Sequence, residues 1–350
     1  MSVAVPVVVL RGDAQTRGIQ QGEQCREALW QFTDDHLCRL NQLSDSPLSL
    51  AGLSEKINRY RQIITYWLPE IAQEIDGVAK GAQMPQDLAW LLQLRREVLG
   101  YNRINTGGDC TTIASLQTEP WLAQTVDLNG NLDDFIHVFS CQSTRIPSLV
   151  LSFAGLLGYL GINQAGLSVG LNMVLGGEWG PGIPPYLAIR HILDNCASVE
   201  HALEALIRLP LSSSRSFTLC DHQQVICVES MNNQWRIVSQ GNARQANRTT
   251  MHTNHFLHQD FQTDDALNIF ARNSSVQRLS KAEAFLASGP HDAEACFSLF
   301  SAAPVCVANN GDIRRERTVA AAIMLPKQGR LLLRPGNPAV NKTQTFSLSD

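Results

Sequence analysis

The sequence lacks the features that mark several large classes of protein. It has no uninterrupted apolar run near the roughly 18 residues that a membrane-spanning helix needs, so no membrane partner is expected. Its 28 basic and 32 acidic residues give a net charge of −4, and the basic ones are scattered, which argues against nucleic-acid binding. No predicted strand is followed by GxGxxG or by GxxxxGK and a hydroxyl residue, so dinucleotide and P-loop sites are not indicated.

The nine cysteines lack the spacing of a disulfide framework or a zinc ribbon. Their number is odd and no CxxC pair occurs, so most are expected to be reduced, buried thiols of a cytosolic protein. The N-terminus has no basic start and is interrupted by Pro6, which favours a first strand over a signal peptide. We therefore expect a soluble, cytoplasmic protein.

No cofactor or metal is expected. His252, His255 and His258 recur every three residues, which suits one face of a helix, yet "MHTNHF" has the character of strand and loop. No acidic residue stands at a spacing that would complete a zinc site.

The order of predicted elements indicates an α+β protein. About the first hundred residues show helical spacing, with Gly18 and Gly22 suited to close packing and Pro69 to a helix boundary. From Gly107 onward, short β-rich runs alternate with pairs of helices and end in a hairpin around Pro326–Gly329. Strands, helices and strands in blocks favour antiparallel layers over a parallel βαβ sheet.

The stretch "NTGGDCTTIA" sets Cys110 apart from the other cysteines. Two glycines precede it, which permits strained backbone, and Thr111 and Thr112 favour an extended strand after it. Cys110 is therefore predicted at a junction of loop and strand. If the bond after Asp109 were cleaved, the new α-amine of Cys110, with a pKa of about 7.7–8.0, could act as the base for its own thiol.

Other polar residues are predicted at strand ends, where they could complete an amidase site. "QTVDLNGNLDD" supplies Asp127, "HTNHF" supplies Asn254, and "RRERTVAAAIM" supplies Arg317 just before an apolar strand. An amidase needs a nucleophile, a residue that orients it and a donor to the oxyanion, and these residue types meet that need.

The chain resembles the isopenicillin N acyltransferase family, the C45 peptidases, among the N-terminal nucleophile hydrolases. The resemblance runs through "GDAQTRGIQQG", "LRREVLGYNR", "CTTIA", "GYLGINQAGLSVGLN", "IPPYLAIRHIL", "HTNHF", "NSSVQRL" and "RTVAAAIMLP" in that order. The CTT and HTNHF elements are the most specific. One departure is Asp109, which stands where the family acyltransferase has glycine.

The resemblance implies a four-layer αββα sandwich, with two antiparallel sheets between helical layers. It implies self-cleavage between Asp109 and Cys110, which would give a mainly helical segment 1–109 and a catalytic segment 110–350 that stay associated. It also implies roles for four residues: Cys110 as nucleophile, Asp127 bonding around it, Asn254 as oxyanion donor and Arg317 ordering the site.

The implied reaction is hydrolysis or transacylation of a small N-acyl amide through a Cys110 thioester. Trp179 and Tyr186, beside a glycine-rich loop, are candidate contacts for an apolar or aromatic acyl group, and Thr111 is a further candidate substrate contact. Two alternatives remain open: an uncleaved thiol hydrolase that pairs Cys110 with a histidine such as His255, and a non-enzymatic ligand-binding protein. A homo-oligomer is also possible.

Overall fold

The structure is a computed structural model that describes residues 4–100, 110–153, 155–245 and 247–349. The predicted cleavage position, Asp109, lies outside the described residues, and Cys110 lies inside them.

Helices fall mainly into an N-terminal group and two later pairs. Their bounds are α1 Ala14–Gln24, α2 Arg26–Asp34, α3 Leu40–Leu43, α4 Leu50–Trp67, α5 Pro69–Ala82, α6 Gln86–Leu99, α7 Pro185–Asn195, α8 Val199–Arg208, α9 Gln259–Gln262, α10 Ile269–Ala287 and α11 Ala293–Phe300. Short 3₁₀ turns occupy Leu132–Phe135 and Pro326–Gln328. Within the described residues, no helix combines the length and apolar character that a membrane crossing requires.

All strands but β1 follow Cys110 in the chain. Their bounds are β1 Val7–Leu10, β2 Thr112–Ser115, β3 Trp121–Leu128, β4 Ile136–Cys141, β5 Ser148–Phe153, β6 Leu160–Asn163, β7 Ser168–Met173, β8 Arg215–Cys220, β9 Gln224–Met231, β10 Gln234–Asn242, β11 Thr249–His252, β12 Arg317–Leu325, β13 Arg330–Pro335 and β14 Gln344–Ser347.

The strands form two sheets. The larger has the order β1-β4-β5-β6-β7-β8-β9-β10 and the smaller β11-β2-β3-β12-β13-β14. All pairings are antiparallel except that of the edge strand β1, which runs parallel to β4 with Val7 opposite Val138. Because β1 precedes α1 to α6 and no hairpin joins it to β4, its direction is not fixed by a tight turn.

Helices cover the outer face of each sheet. α1, α7 and α8 contact the larger sheet, with α4, α5 and α6 packed beyond them, and α10 and α11 contact the smaller sheet. Between the sheets, β2 and β3 contact β7 and β8. The predicted four-layer αββα arrangement is therefore confirmed, with antiparallel pairing everywhere except at β1.

After Arg317 and Thr318, β12 is apolar to its end, and both of its faces are buried. Ala320 and Ala322 face the core that lies between the sheets, whereas Ala321 and Ile323 face the core under α10 and α11. A strand with two buried faces has no need for alternating polar residues, which explains the run "TVAAAIML".

Glycines bring α1 and α5 into backbone contact, as the sequence predicted for Gly18 and Gly22. A Cβ added at Gly18 would stand 1.9 Å from the Glu74 carbonyl oxygen, and one at Gly81 would stand 2.1 Å from the Ile19 oxygen. These distances are far shorter than any van der Waals contact, so a side chain cannot be accommodated unless the helices separate.

Candidate active site

Cys110 lies two residues before β2, and neither it nor Thr111 belongs to a helix or strand. Its thiol is buried against the end of β3. The Asp127 backbone N–H donates to Sγ at 3.3 Å, and Sγ lies 3.6 Å from the Asp127 carbonyl oxygen. The backbone N–H favours the thiolate and the carbonyl oxygen favours the thiol, so either form of Cys110 has a partner at Asp127.

The Asp127 carboxylate is held by hydroxyl groups from two strands. Thr125 Oγ1 donates to Oδ2 at 3.0 Å, and the Thr318 hydroxyl donates to Oδ1 from β12, whose register sets Thr318 opposite Asp127. Thr125 Oγ1 also accepts from the Thr111 backbone N–H at 3.0 Å. The Asp127 carboxylate is thus held next to the Asp127 backbone N–H, which donates a hydrogen bond to the Cys110 thiol.

Two buried residues donate hydrogen bonds to the Cys110 carbonyl oxygen. Asn172 Nδ2 donates to the Cys110 oxygen at 3.0 Å from the end of β7, and Arg278 Nη1 donates to it at 2.7 Å from α10. Arg278 Nη1 also lies 3.2 Å from Thr111 Oγ1. These bonds hold Cys110 between the two sheets and α10.

Asn254 follows β11, and its carboxamide orientation is determined by its neighbours. Arg278 Nη2 donates to Asn254 Oδ1 at 3.0 Å, and Asn254 Nδ2 donates to the Met173 oxygen at 2.9 Å. Because a guanidinium can only donate, the carboxamide oxygen must face Arg278. The second Nδ2 hydrogen has no acceptor among the described residues, and the role of Asn254 as an oxyanion donor stays a prediction.

Replacing Asn254 by alanine is expected to lower kcat for amide cleavage by about 10²–10³-fold with little change in KM, as loss of one oxyanion donor does. Steady-state kinetics measure this. Asn163→Ala is the matched control, because Asn163 is also buried and its Nδ2 bonds two backbone oxygens, those of Leu193 and Cys196, away from Cys110. Equal kcat values for the two variants would contradict the role of Asn254.

Arg317 contacts a different part of the site from the one expected. Its Nε donates to Asn131 Oδ1 at 2.8 Å and its Nη2 to Asp133 Oδ1 at 2.6 Å, in the loop after β3. Successive strand residues point to opposite faces, and because Thr318 points to Asp127, Arg317 points away from it. A role for Arg317 stays a prediction, now through this loop; the guanidinium that bonds Cys110 is that of Arg278.

Thr111, Trp179 and Tyr186 were predicted to contact substrate, and the structure gives each of them partners. The Thr111 side chain is buried and faces Arg278. The Tyr186 ring stacks on that of Tyr159 at 5.2 Å, and both line a narrow cavity of about 40 Å³ that also reaches Asn129. Trp179 lines a separate, more open cleft of about 580 Å³. Their roles in substrate binding stay predictions.

Sequence reasoning missed Asn172, Arg278 and Thr318. Asn172 and Arg278 both lie within segments that carry the family resemblance, "GLSVGLN" and "NSSVQRL". Asn172 is a polar residue at the end of a largely apolar run, a signal that could have identified it, whereas Arg278 stands among other polar residues and has no such signal.

The histidines make contacts of their own. His252 Nε2 lies 2.8 Å from Glu229 Oε1, and His255 Nδ1 lies 2.8 Å from the Ser275 hydroxyl. Burial, together with the neighbouring His252 and Arg272, lowers the pKa of His255 to about 4. His255 forms no hydrogen bond with the Cys110 thiol among the described residues. In the same residues no group of three or more His, Cys, Asp or Glu side chains is placed to hold a metal ion.

Several known proteins are similar to this chain. The acyl-coenzyme A:6-aminopenicillanic-acid-acyltransferase 40 kDa form of Emericella nidulans is 27% identical over 157 residues, which is 43% of this chain and 43% of that protein. The chain therefore matches less than half the length of this curated relative.

Among solved structures, penicillin V acylase from Agrobacterium tumefaciens is 14% identical with a TM-score of 0.46, over 69% of this chain and 87% of that one. A variant of the conjugated bile acid hydrolase from Clostridium perfringens is 12% identical with a TM-score of 0.46, over 68% and 96%. The Caenorhabditis elegans N-acylethanolamine-hydrolyzing acid amidase ortholog is 18% identical with a TM-score of 0.43, over 62% and 93%. The activities in these names are those of the proteins that carry them.

A sequence model of one enzyme family matches almost two thirds of the chain. The match covers residues 116–340, begins just after Cys110, and includes Asp127, Asn172, Asn254 and Arg278. The chain therefore belongs to the acyl-coenzyme A:6-aminopenicillanic acid acyl-transferase family.

Proposed function

We propose that this protein is a cysteine amide hydrolase of the N-terminal nucleophile type, which cleaves a small N-acyl amide through a thioester on Cys110. The observation that carries the proposal is the arrangement around one residue. The Cys110 thiol accepts a hydrogen bond from the Asp127 backbone N–H. The Cys110 carbonyl oxygen accepts hydrogen bonds from the side chains of Asn172 and Arg278. A structural core cysteine needs neither set of bonds.

The proposed maturation is an acyl shift at the bond between Asp109 and Cys110. Cys110 Sγ attacks the Asp109 carbonyl carbon, a C–S bond forms, the peptide C–N bond breaks, and the proton of the thiol passes to the released α-amine. Water then cleaves the thioester, which yields the Asp109 carboxylate and a free Cys110 thiol. The α-amine is now next to the thiol and can accept its proton.

The proposed turnover uses the same atoms. The Cys110 thiolate attacks the amide carbonyl of the substrate, and the oxyanion receives the second Nδ2 hydrogen of Asn254. The C–N bond breaks as the α-amine of Cys110 gives its proton to the leaving amine. Water attacks the thioester, releases the acid and restores the thiol. If an amine reacts in place of water, the product is a new amide, so transfer and hydrolysis differ in the acceptor alone.

Buried ion pairs support a further part of the proposal, that the two segments stay associated after cleavage. Arg17 Nε and Arg190 Nη2 both donate to Glu74 Oε2, at 3.2 and 3.1 Å, and Arg190 Nε bonds Asp194 Oδ2 at 2.8 Å. Arg17 and Glu74 belong to segment 1–109, whereas Arg190 and Asp194 belong to segment 110–350. Cleavage at residue 109 would leave this network intact.

A reducing, cytoplasmic setting is part of the same proposal. All nine cysteines are free thiols, and eight of them are buried, including Cys110. Such thiols persist where the compartment is reducing.

A thiol-directed acylating probe tests the proposal. An N-acyl amide or activated ester of a short fatty acid should label one site per chain in the purified protein, and peptide mass mapping should place the acyl group on Cys110. Cys110→Ser should not form the thioester, whereas Cys196→Ala should label as the parent does. Labelling that persists in Cys110→Ser, or no labelling of the parent, would contradict the proposal and favour a non-enzymatic protein.

Replacing His255 by glutamine is expected to leave kcat/KM within about tenfold of the parent, because a pKa of about 4 makes the imidazole a weak proton acceptor and its Nδ1 pairs with Ser275. A general base contributes about 10²–10⁴-fold. A loss of that size in kcat/KM, in a protein that stays uncleaved, would instead support the Cys110–His255 alternative. His191→Gln, in α7, is the control.

A further inference from the structure

Arg215 is a fully buried cation with unused hydrogen-bond donors. Its Nη1 donates to the Ser214 carbonyl oxygen at 2.6 Å, but its Nε and Nη2 have no hydrogen-bond partner among the described residues. Buried polar groups in folded proteins are nearly always paired, and an unpaired charged donor is costly. The side chain therefore needs an acceptor that the folded chain does not supply.

Aromatic rings fix the plane of the Arg215 guanidinium. Its Cζ lies 5.0 Å from the centre of the Trp179 ring and 5.8 Å from that of Tyr186. Trp179 Nε1 in turn donates to Ser214 Oγ at 3.2 Å. Arginine side chains held in this way are preorganised, so less conformational entropy is lost when an acceptor binds.

The two unused nitrogens are the pair that suits a carboxylate. Nε and Nη2 lie on one edge of the guanidinium, and their parallel N–H groups match the two oxygens of a carboxylate in a bidentate pair. A single neutral acceptor or one water molecule would satisfy only part of this edge.

Arg215 lies at the same end of the sandwich as Cys110. It begins β8 and is paired with Met173 on β7, and the residue before Met173, Asn172, donates to the Cys110 carbonyl. Paired residues of antiparallel strands have Cα atoms about 4.5–5.5 Å apart. The Asn254 carboxamide also bonds the Met173 oxygen, so the proposed oxyanion donor and Arg215 share one neighbour.

An open cleft reaches the neighbours of Arg215. It is lined by Trp179, Gly180, Tyr60 and Glu97, and its volume of about 580 Å³ is within the range of small-molecule sites. Ser212 Oγ donates to Glu97 Oε1 at 3.3 Å, whereas Glu97 Oε2 has no partner, and no ion pair joins Glu97 to Arg215 in the described part of the chain. Burial raises the pKa of Glu97, and the nearby positive charge of Arg215 opposes this rise.

We propose that Arg215 binds a carboxylate of the substrate through Nε and Nη2, so that the preferred substrates are N-acyl conjugates that carry a carboxylate. The carboxylate belongs either to the amine part, as in an N-acyl amino acid, or to the far end of the acyl part. This inference rests on the proposed function of Cys110, because it assigns the substrate class of that site.

Two matched substrate pairs test the inference in the parent enzyme. In the first pair, N-hexanoylglycine carries a carboxylate on the amine part and N-hexanoylethanolamine does not. In the second pair, N-adipoyl 4-nitroanilide carries a carboxylate on the acyl part and N-hexanoyl 4-nitroanilide does not. We expect kcat/KM to be about 10–100-fold higher for the acid of one pair, the range for a hydrogen-bonded charged group. That ratio should fall to near one in Arg215→Gln, stay intermediate in Arg215→Lys, and be unchanged in Arg236→Gln, whose side chain bonds the exposed Asp260.

A binding measurement separates this inference from the proposed function. In the Cys110→Ala background, which cannot turn over, calorimetric titration should show that the acid binds more tightly than its neutral partner. Adding Arg215→Gln should remove the difference. Adding Glu97→Gln should preserve or increase the difference in affinity, because a carboxyl group that could compete with the ligand carboxylate for Arg215 is lost. Binding with carboxylate preference but without turnover in the parent would retain the inference and contradict the proposed function. Equal binding of acid and neutral ligand would overturn the inference, whatever the turnover.

Discussion

Replacing Cys110 by alanine is expected to reduce amide cleavage by about 10⁴-fold or more, the scale of loss when a covalent nucleophile is removed. The same variant should also stay a single chain, because the proposed acyl shift begins with attack by Sγ. The loss of turnover and the loss of chain cleavage have the same cause, the removal of Cys110 Sγ, which accepts the hydrogen bond from the Asp127 N–H. Turnover of an N-acyl 4-nitroanilide and denaturing gel electrophoresis measure them together.

The control for this variant is another buried cysteine. Cys196 follows α7 and is buried, and its carbonyl oxygen accepts from Asn163, which forms no hydrogen bond with Cys110 among the described residues. Cys196→Ala should be cleaved and active as the parent is, with at most a small loss of stability. Cleavage of the Cys110→Ala chain at residue 109 would show that another group attacks that bond, and retained turnover would assign the chemistry elsewhere.

Replacing Glu74 by glutamine is expected to lower the free energy of unfolding by about 3–5 kcal/mol, because removing one partner of a buried ion pair leaves uncompensated charge. Glu74 is the carboxylate between Arg17 and Arg190, and all three side chains are almost inaccessible to solvent. A glutamine would turn an N–H donor or a neutral oxygen toward two guanidinium groups.

Urea unfolding of Glu74→Gln should be measured in the Cys110→Ala background, since a single uncut chain suits a reversible, two-state treatment. Glu55→Gln is the matched control, because Glu55 pairs with Arg59 on the exposed face of α4 and should change stability by about 0.5 kcal/mol or less. A loss in Glu74→Gln no larger than that of the control would contradict the view that this network joins the two segments.

Local signals in the sequence predicted element boundaries well. Pro69 begins α5, with only Leu68 between it and the end of α4, and the turn at Pro326–Gly329 joins β12 to β13. Each boundary depends on a residue whose backbone or side chain acts within a few positions, so no knowledge of the tertiary fold is needed.

The first helical segment was predicted less well. The structure divides it at Cys25 and again at His36–Arg39, four consecutive residues with φ between 49° and 60°. Left-handed backbone is unfavourable for residues other than glycine, so no local pattern could predict it. A distant contact accompanies it: Arg39 Nη1 donates to the carbonyl oxygens of Gly130 and Asn131, each at 2.8 Å.

In the candidate site, too, residues marked by local signals could be predicted and residues placed by distant contacts could not. Asp127 and Asn254 could be chosen because polar residues at strand ends are visible in a sequence. Arg278 could not, because it reaches Cys110 from a helix 168 positions away and its place on α10 follows only from how that helix packs. The direction of Arg317 likewise depends on the register that sets Thr318 opposite Asp127.

The intact mass of freshly purified protein, measured under denaturing conditions, tests the central claim most directly. The account predicts two chains, residues 1–109 and 110–350, with Cys110 as the N-terminal residue of the second, and predicts that they elute together before denaturation. A single full-length chain that nevertheless hydrolyses N-acyl amides would contradict it, because the α-amine proposed as the base would not exist.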